Sequence, residues 1–259
     1  MGVNRLMKVI HQGVITCLII TVCACVAFLQ QPSIGSSVAV QTTEPQIKWF
    51  DDFLGTNLHP GYAVSVGGSG SVKMSSSPSI GGVVALSTSS SESGVARLRF
   101  GEDPGTGAFD VRNFSAAKNM TYKARVFLNT NTNLQATVGL IGLNDPEHVI
   151  AAIYNAEPGN TSANWAFEVI NGNNRMATTT QFQHAPDTWF TVKIVTEWGD
   201  TPSARIYIND ENAPLATVTG DYVPGTGLCP EFQIWNKQVA SGLSQASLYV
   251  DYLSVTQDR

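Results

Sequence analysis

From residue 47 onward, apolar side chains recur at every second position in short runs, and clusters of Gly, Pro, Asn and Asp separate the runs. A period of two suits a pleated strand with one buried and one wet face, and it is wrong for a helix. The clearest run is Thr188–Trp198, where Phe190, Val192 and Ile194 share one face while Thr191, Lys193 and Glu197 share the other with Val195. After a Gly199–Pro202 turn, Ala204, Ile206 and Ile208 alternate with Arg205, Tyr207 and Asn209. Tyr122, Ala124, Val126 and Leu128 alternate in the same way within Met120–Leu128. In the last run, 246–255, the spacing sets Leu248, Val250 and Tyr252 against Tyr249, Asp251 and Leu253.

Further strands are predicted over 82–88, 94–100, 134–143, 148–155, 164–171, 175–182 and 230–235, giving about a dozen in all. Asn171-Gly-Asn-Asn174 reads as a hairpin turn because its central residues tolerate positive φ. The Gly/Ser-rich stretches 65–79 and 87–93 read as punctuation between strands. The predicted architecture is all-β, a sandwich of two antiparallel sheets built as one domain over 47–259. Hydrophobic content of 43% supplies a core, and charged content of 14% is too low for a disordered chain.

Ahead of the domain lies an apolar segment, Gly13–Leu29, preceded by Arg5 and Lys8 and followed by no charge until Glu44. The asymmetry keeps the N-terminus inside and sends the bulk of the chain outward. Residues 1–29 therefore read as a signal peptide or membrane anchor, and 30–46 as a polar, Pro-containing linker. Three fates stay open: cleavage after a small-residue site, lipidation of Cys25, or retention as an anchor. A secreted or extracytoplasmic location is expected under each, with the membrane touched only through residues 13–29. Cys17, Cys23 and Cys25 belong to this leader, so Cys229 is alone in the domain and no disulfide forms within it. Cys229 is expected to act as a small buried hydrophobe.

The net charge is −5 and no Lys/Arg cluster occurs along the sequence, which argues against nucleic acid as a partner. A Ser/Thr/Asn-rich surface suits a glycan or polysaccharide. Self-association through the sheet edges is a further expectation.

Three stretches carry a family resemblance: Trp49-Phe-Asp-Asp-Phe53, then Asp187–Ile194 with the following run to Asp210, and finally Leu228–Asn236 leading into Leu248–Arg259. Together they resemble the concanavalin A-like lectin/glucanase jelly roll, similar to phage structural domains and environmental secreted domains. The resemblance covers residues 47–259. It implies a jelly-roll sandwich and a structural calcium ion near the chain ends, for which Asp51, Asp52 and Asp251 are available, although no loop has the spacing of a calcium motif.

Retaining glucanases with this fold carry two glutamates at period-two spacing, because the chemistry needs two carboxylates about 5 Å apart. No Glu-x-Asp-x-Glu triplet occurs here, and the corresponding stretch 138–154 is apolar at those positions. No catalytic residue is therefore assigned. Asp145, Glu147 and His148 read as a hairpin tip, and His59, His148 and His184 lack metal-ligand spacing. Sugar rings stack on indole and phenol while polar side chains bond their hydroxyls. On that chemistry the candidate ligand-binding residues are Trp165, Trp235, Tyr154, Glu168, Arg175 and Tyr207. Trp49 and Trp189 are read as core. The leading expectation is a non-catalytic extracellular or virion-associated domain that is glycan-binding, structural or adhesive. The alternative is a divergent hydrolase or lyase around Glu168, His148 and Tyr154, or around Tyr154, Arg175 and His184.

Overall fold

The computed structural model describes residues 46–76, 82–88, 94–101, 114–115, 117–142, 147–209, 212–237 and 245–258. The chain divides into residues 1–43 and a unit of Glu44–Arg259. The leader 1–29 with its cysteines, the linker up to residue 45, and Asp145 lie outside the described residues.

The alternating runs are strands. In chain order they are β1 Gln46–Asp51, β2 Tyr62–Gly67, β3 Ser71–Ser75, β4 Val83–Ser87, β5 Val95–Phe100, β6 Phe114–Ser115, β7 Met120–Leu128 and β8 Leu134–Gly142. The series continues with β9 His148–Ala156, β10 Trp165–Asn171, β11 Asn174–Thr179, β12 Phe190–Glu197, β13 Ser203–Ile208, β14 Ala216–Thr219, β15 Gly227–Asn236 and β16 Ser247–Asp258. One 3-10 turn, Gly220–Tyr222, interrupts them. Sheet I runs β14-β13-β12-β7-β16-β4-β3 with β1 also on β16, and sheet II runs β11-β10-β9-β8-β15-β5-β2 with β6 also on β15. Every strand pairing is antiparallel.

The inner faces meet in one core. Tyr122, Ala124, Val126 and Leu128 of β7, with Val192 and Ile194 of β12, pack opposite Ala136, Val138 and Leu140 of β8 and Phe232 and Ile234 of β15. These are the faces that alternation predicts for sheet I. The Asn171–Asn174 hairpin forms as expected, with Gly172 at φ +58° as the sole residue of its turn in the left-handed region.

Three expectations need correction. In β16 the register shifts between Val250 and Tyr252. The extra residue is a bulge, so Leu253 and Val255 enter the core and Tyr252 turns outward, the reverse of strict alternation. The Gly/Ser-rich stretch 65–79 contains half of β2 and all of β3, because Val64, Val66, Val72 and Met74 keep period two among small residues. Trp189 is a half-buried residue that lies beneath the Arg125 guanidinium, 5.0 Å from the ring centre.

Candidate functional site

The outer face of sheet II carries a row of polar groups beside a depression. Pairing registers place Glu168 of β10, Ala151 of β9, Gly139 of β8 and Glu231 of β15 in a single row across four strands. A neighbouring row holds Thr179, Ala166, Ile153, Thr137, Gln233 and Arg97, and the next holds Asn155, Gln135, Trp235 and Val95. A depression of about 370 Å³ opens over these rows, lined by Gln135, Asn155, Asn164, Glu168, Arg175 and Thr179, with Ile153, Ala166 and Ala177 as its apolar part. Asn164 Oδ1 is buried there without a hydrogen-bond partner. An unpaired buried acceptor costs about 1–3 kcal/mol, so this atom calls for a donor such as a hydroxyl. A larger depression of about 450 Å³ beside Leu54 and Met74 is lined by no charged side chain.

Both glutamates of the row are held by arginines. Arg175, which is exposed, donates to Glu168, which is 7% exposed. Glu231 is 1% exposed, and its Oε2 accepts from Arg99 Nη2 at 2.6 Å and Nε at 2.9 Å, with Arg97 Nε at 3.7 Å. Three strand spacings of about 4.8 Å put Glu168 and Glu231 roughly 14 Å apart. Two-carboxylate glycoside cleavage needs about 5–5.5 Å for retention or 6.5–9.5 Å for inversion, so these two cannot act as such a pair. No side chain stands between them over β8, since a Cβ on Gly139 would lie 2.5 Å from the Ile150 carbonyl oxygen and 2.6 Å from Ala151 Cα.

Of the six candidate residues, three share this face: Glu168 and Arg175 in the depression, and half-buried Trp235 beside Gln135. The other three do not. Trp165 and Tyr154, each 1% exposed, point into the core. Tyr207 is on the other sheet, 9% exposed, with Lys193 Nζ 4.5 Å from its ring centre. Both hydrolase and lyase constellations therefore fail to assemble: Tyr154 is inside the sandwich, 4.6 Å from the His184 ring, while Glu168 and Arg175 are outside it. Asp51 and Asp52 accept from the backbone N–H of Phe53 and Leu54, and Asp251 pairs with Arg125. Among the described residues, no three His, Cys, Asp or Glu side chains are grouped to hold a metal ion. Cys229 is buried on this outer face, near the Glu231 row.

The rings of Tyr154, Trp165 and His184 pack together, with each polar tip hydrogen-bonded. Trp165 Nε1 donates to His184 Nδ1 at 3.2 Å, which leaves His184 Nε2 to donate to the Thr130 carbonyl at 3.3 Å. Tyr154 donates to the Asn131 carbonyl at 2.6 Å, and burial pushes its hydroxyl up to about 12. Burial also lowers the His184 pKa, against a smaller opposing effect of the Thr130 bond. A depressed histidine stabilises the fold fully above its unfolded value near 6.5, and that contribution is lost as pH falls below it. Denaturant midpoints are accordingly expected to fall between pH 7.5 and 5, and His184→Gln should flatten that part of the profile while lowering its plateau. An unchanged pH slope in the variant would remove His184 as the cause.

No family model matches the sequence, and no curated protein matches it. Among solved structures, a glycoside hydrolase family protein from Mycobacterium thermorestibile is similar with a TM-score of 0.56 at 14% identity, covering 80% of this chain and 99% of that one. The endo-beta-1,4-glucuronan lyase of Trichoderma reesei is similar with a TM-score of 0.55 at 10% identity, covering 80% and 94%. The Emp47p carbohydrate recognition domain is similar with a TM-score of 0.53 at 10% identity, also covering 80% and 94%. At these identities the likeness speaks for the fold alone. The chain has the concanavalin A-like lectin/glucanase jelly-roll fold.

Proposed function

We propose that the chain is a non-catalytic, extracytoplasmic glycan-binding domain whose binding face is the depression on sheet II. The observation that carries this reading is the convergence of Gln135, Asn155 and Asn164, with the Asn164 Oδ1 unpartnered, beside the Glu168–Arg175 pair. Amides and a charge pair over a small apolar floor are suited to sugar hydroxyls, and Trp235 at the margin offers a ring for a sugar's C–H face. Engagement of both carboxylates by arginine, at roughly 14 Å separation, favours recognition over hydrolysis. The similar structures include one described as a carbohydrate recognition domain, and others described as glycoside hydrolase and lyase. The proposed location, secreted or held at a membrane, rests on residues 1–29.

Binding of the full chain to immobilised laminarin and cello-oligosaccharides tests the proposal. Trp235→Ala and Asn164→Ala are each expected to weaken binding about tenfold with little change in melting temperature, since neither side chain fills the core. Absence of binding to every neutral glycan tried would leave a structural or adhesive role. Release of reducing or unsaturated ends, abolished in Glu168→Gln, would establish the enzymatic alternative.

A further inference from the structure

We propose that the free edge of sheet II is a dimer contact, in which β11 pairs with β11 of a second copy, antiparallel and centred on Ala177. β11 ends its sheet and is bonded to β10 on one side only. Asn171 and Asn174 close the hairpin between the two strands, and the Thr180 N–H donates to the Trp165 carbonyl at 2.9 Å. Hydrogen-bonded and non-bonded pairs alternate along an antiparallel ladder, so Asn174, Met176, Thr178 and Thr180 turn their backbone groups toward β10. Arg175, Ala177 and Thr179 turn theirs away from it. Among the described residues nothing bonds those outward groups. Five of the six residues of β11 are exposed, Met176 among them at 37%.

A row of open N–H and C=O groups is a template for another strand, and proteins usually blunt it by shortening the strand or placing lysine or proline on it. Two other sheet ends are blunted in this way. β14 has only four residues, with Ala216 and Val218 buried, and β3 carries an exposed lysine, Lys73, at its centre. β11 is six residues long without lysine or proline. The rival edge is β2, where Val64 and Val66 are 45% and 51% exposed.

A second copy fits β11 because the outward groups are symmetric about Ala177. A twofold axis through Ala177, perpendicular to the sheet, sets Ala177 opposite itself and Arg175 opposite Thr179 of the other copy. Each outward N–H then meets a carbonyl, giving about six backbone hydrogen bonds. The same operation lays Met176 against Thr178 of the other copy and covers its exposed thioether. Charge does not oppose the pairing. Arg175 is the single charged residue of the strand, its two copies lie roughly 13 Å apart along the ladder, and each is paired with its own Glu168. Arg175, Ala177 and Thr179 also line the depression, so it opens at this edge. Pairing brings Arg175 of one copy beside Thr179 of the other and joins two depressions on one continuous face.

Sedimentation velocity of the full chain over about 1–200 μM tests the contact, a range suited to the small area that one strand pair buries. A shift from monomer to dimer with rising concentration is expected. Ala177→Pro removes one outward N–H and leaves the ladder to β10 intact, since proline is tolerated on an edge strand. It should weaken dimerisation at least tenfold with an unchanged circular dichroism spectrum. Ala177→Lys and Ala177→Glu each set like charges opposite one another and should be monomeric alone, whereas a mixture of the two should form a heterodimer. Val64→Lys should dimerise like the parent. A parent chain that stays monomeric overturns the proposal, as does Ala177→Pro dimerising like the parent. A mixture that fails to associate overturns the Ala177-centred register, and a dimer lost in Val64→Lys moves the contact to β2. The readout is oligomeric state, so failure of this contact and failure of glycan binding are separate results.

Discussion

Trp165→Ala is expected to destabilise the domain by about 3–5 kcal/mol, the range for removing a fully buried tryptophan. Trp165 is among the largest fully buried side chains, and its ring lies 5.4 Å from Tyr154, 5.3 Å edge-on from Phe190 and 6.0 Å from His184. Alanine leaves a cavity among three rings and also strips His184 Nδ1 of its donor at 3.2 Å. For a domain of this size each kcal/mol lowers the melting temperature by about 2–4 °C, so a fall near 10 °C should appear in a thermal scan. Trp165→Phe separates the two contributions: it keeps most of the packing and loses only the indole donor, at about 1–3 kcal/mol. A loss below about 1 kcal/mol in Trp165→Ala would mean that the ring does not fill the core. The result also bears on ligand assays, because lost glycan binding in this variant would report lost folding, whereas half-buried Trp235 reports on the face itself.

The sandwich was largely legible in the sequence because period two is a local property. Tyr122, Val126, Val192, Ile206 and Leu248 were assigned to the buried face from spacing alone, and all are in the core. The site was legible only in part. Within Trp165-Ala-Phe-Glu168 the same period sets Trp165 and Glu168 on opposite faces, so the two could never line one groove. Tyr154 likewise shares the parity of Ile150 and Ala152, both buried. Stacking chemistry nominates Trp165 and Tyr154, but strand parity places both inside the sandwich. Which strands become neighbours is a different kind of information. Arg99 and Glu231 meet across 132 residues of chain, and nothing in either segment announces the other beyond the alternating Arg97-x-Arg99 and Glu231-x-Gln233. The bulge in β16 is likewise tertiary: an inserted residue reverses the alternation that a reader would extend through it.

Glu231→Gln is expected to cost about 3–5 kcal/mol, the penalty for breaking a buried ion pair from one side. The carboxylate is 1% exposed on a strand buried along most of its length, and Arg99 beside it is 11% exposed. With the Gln233 amide turned so that its nitrogen faces Glu231 Oε1 at 3.3 Å, its oxygen accepts from Arg97 Nη2 at 3.3 Å, which closes the network. Glutamine keeps the shape of glutamate but leaves two guanidinium groups on alternate positions of β5 without their common counter-charge. Arg97 is 37% exposed and 3.7 Å away, so water screens it and its share of the loss is small. The weight falls on Arg99, whose Nε and Nη2 both lose an ionised acceptor. Replacing both partners by apolar residues of similar volume, Arg99→Met with Glu231→Leu, removes the uncompensated charge and is expected to recover much of the loss. A double-mutant cycle by urea denaturation measures the coupling directly. Single and double variants that simply add would mean the pair is too well solvated to couple, and a Glu231→Gln loss within about 1 kcal/mol would place it with ordinary surface ion pairs.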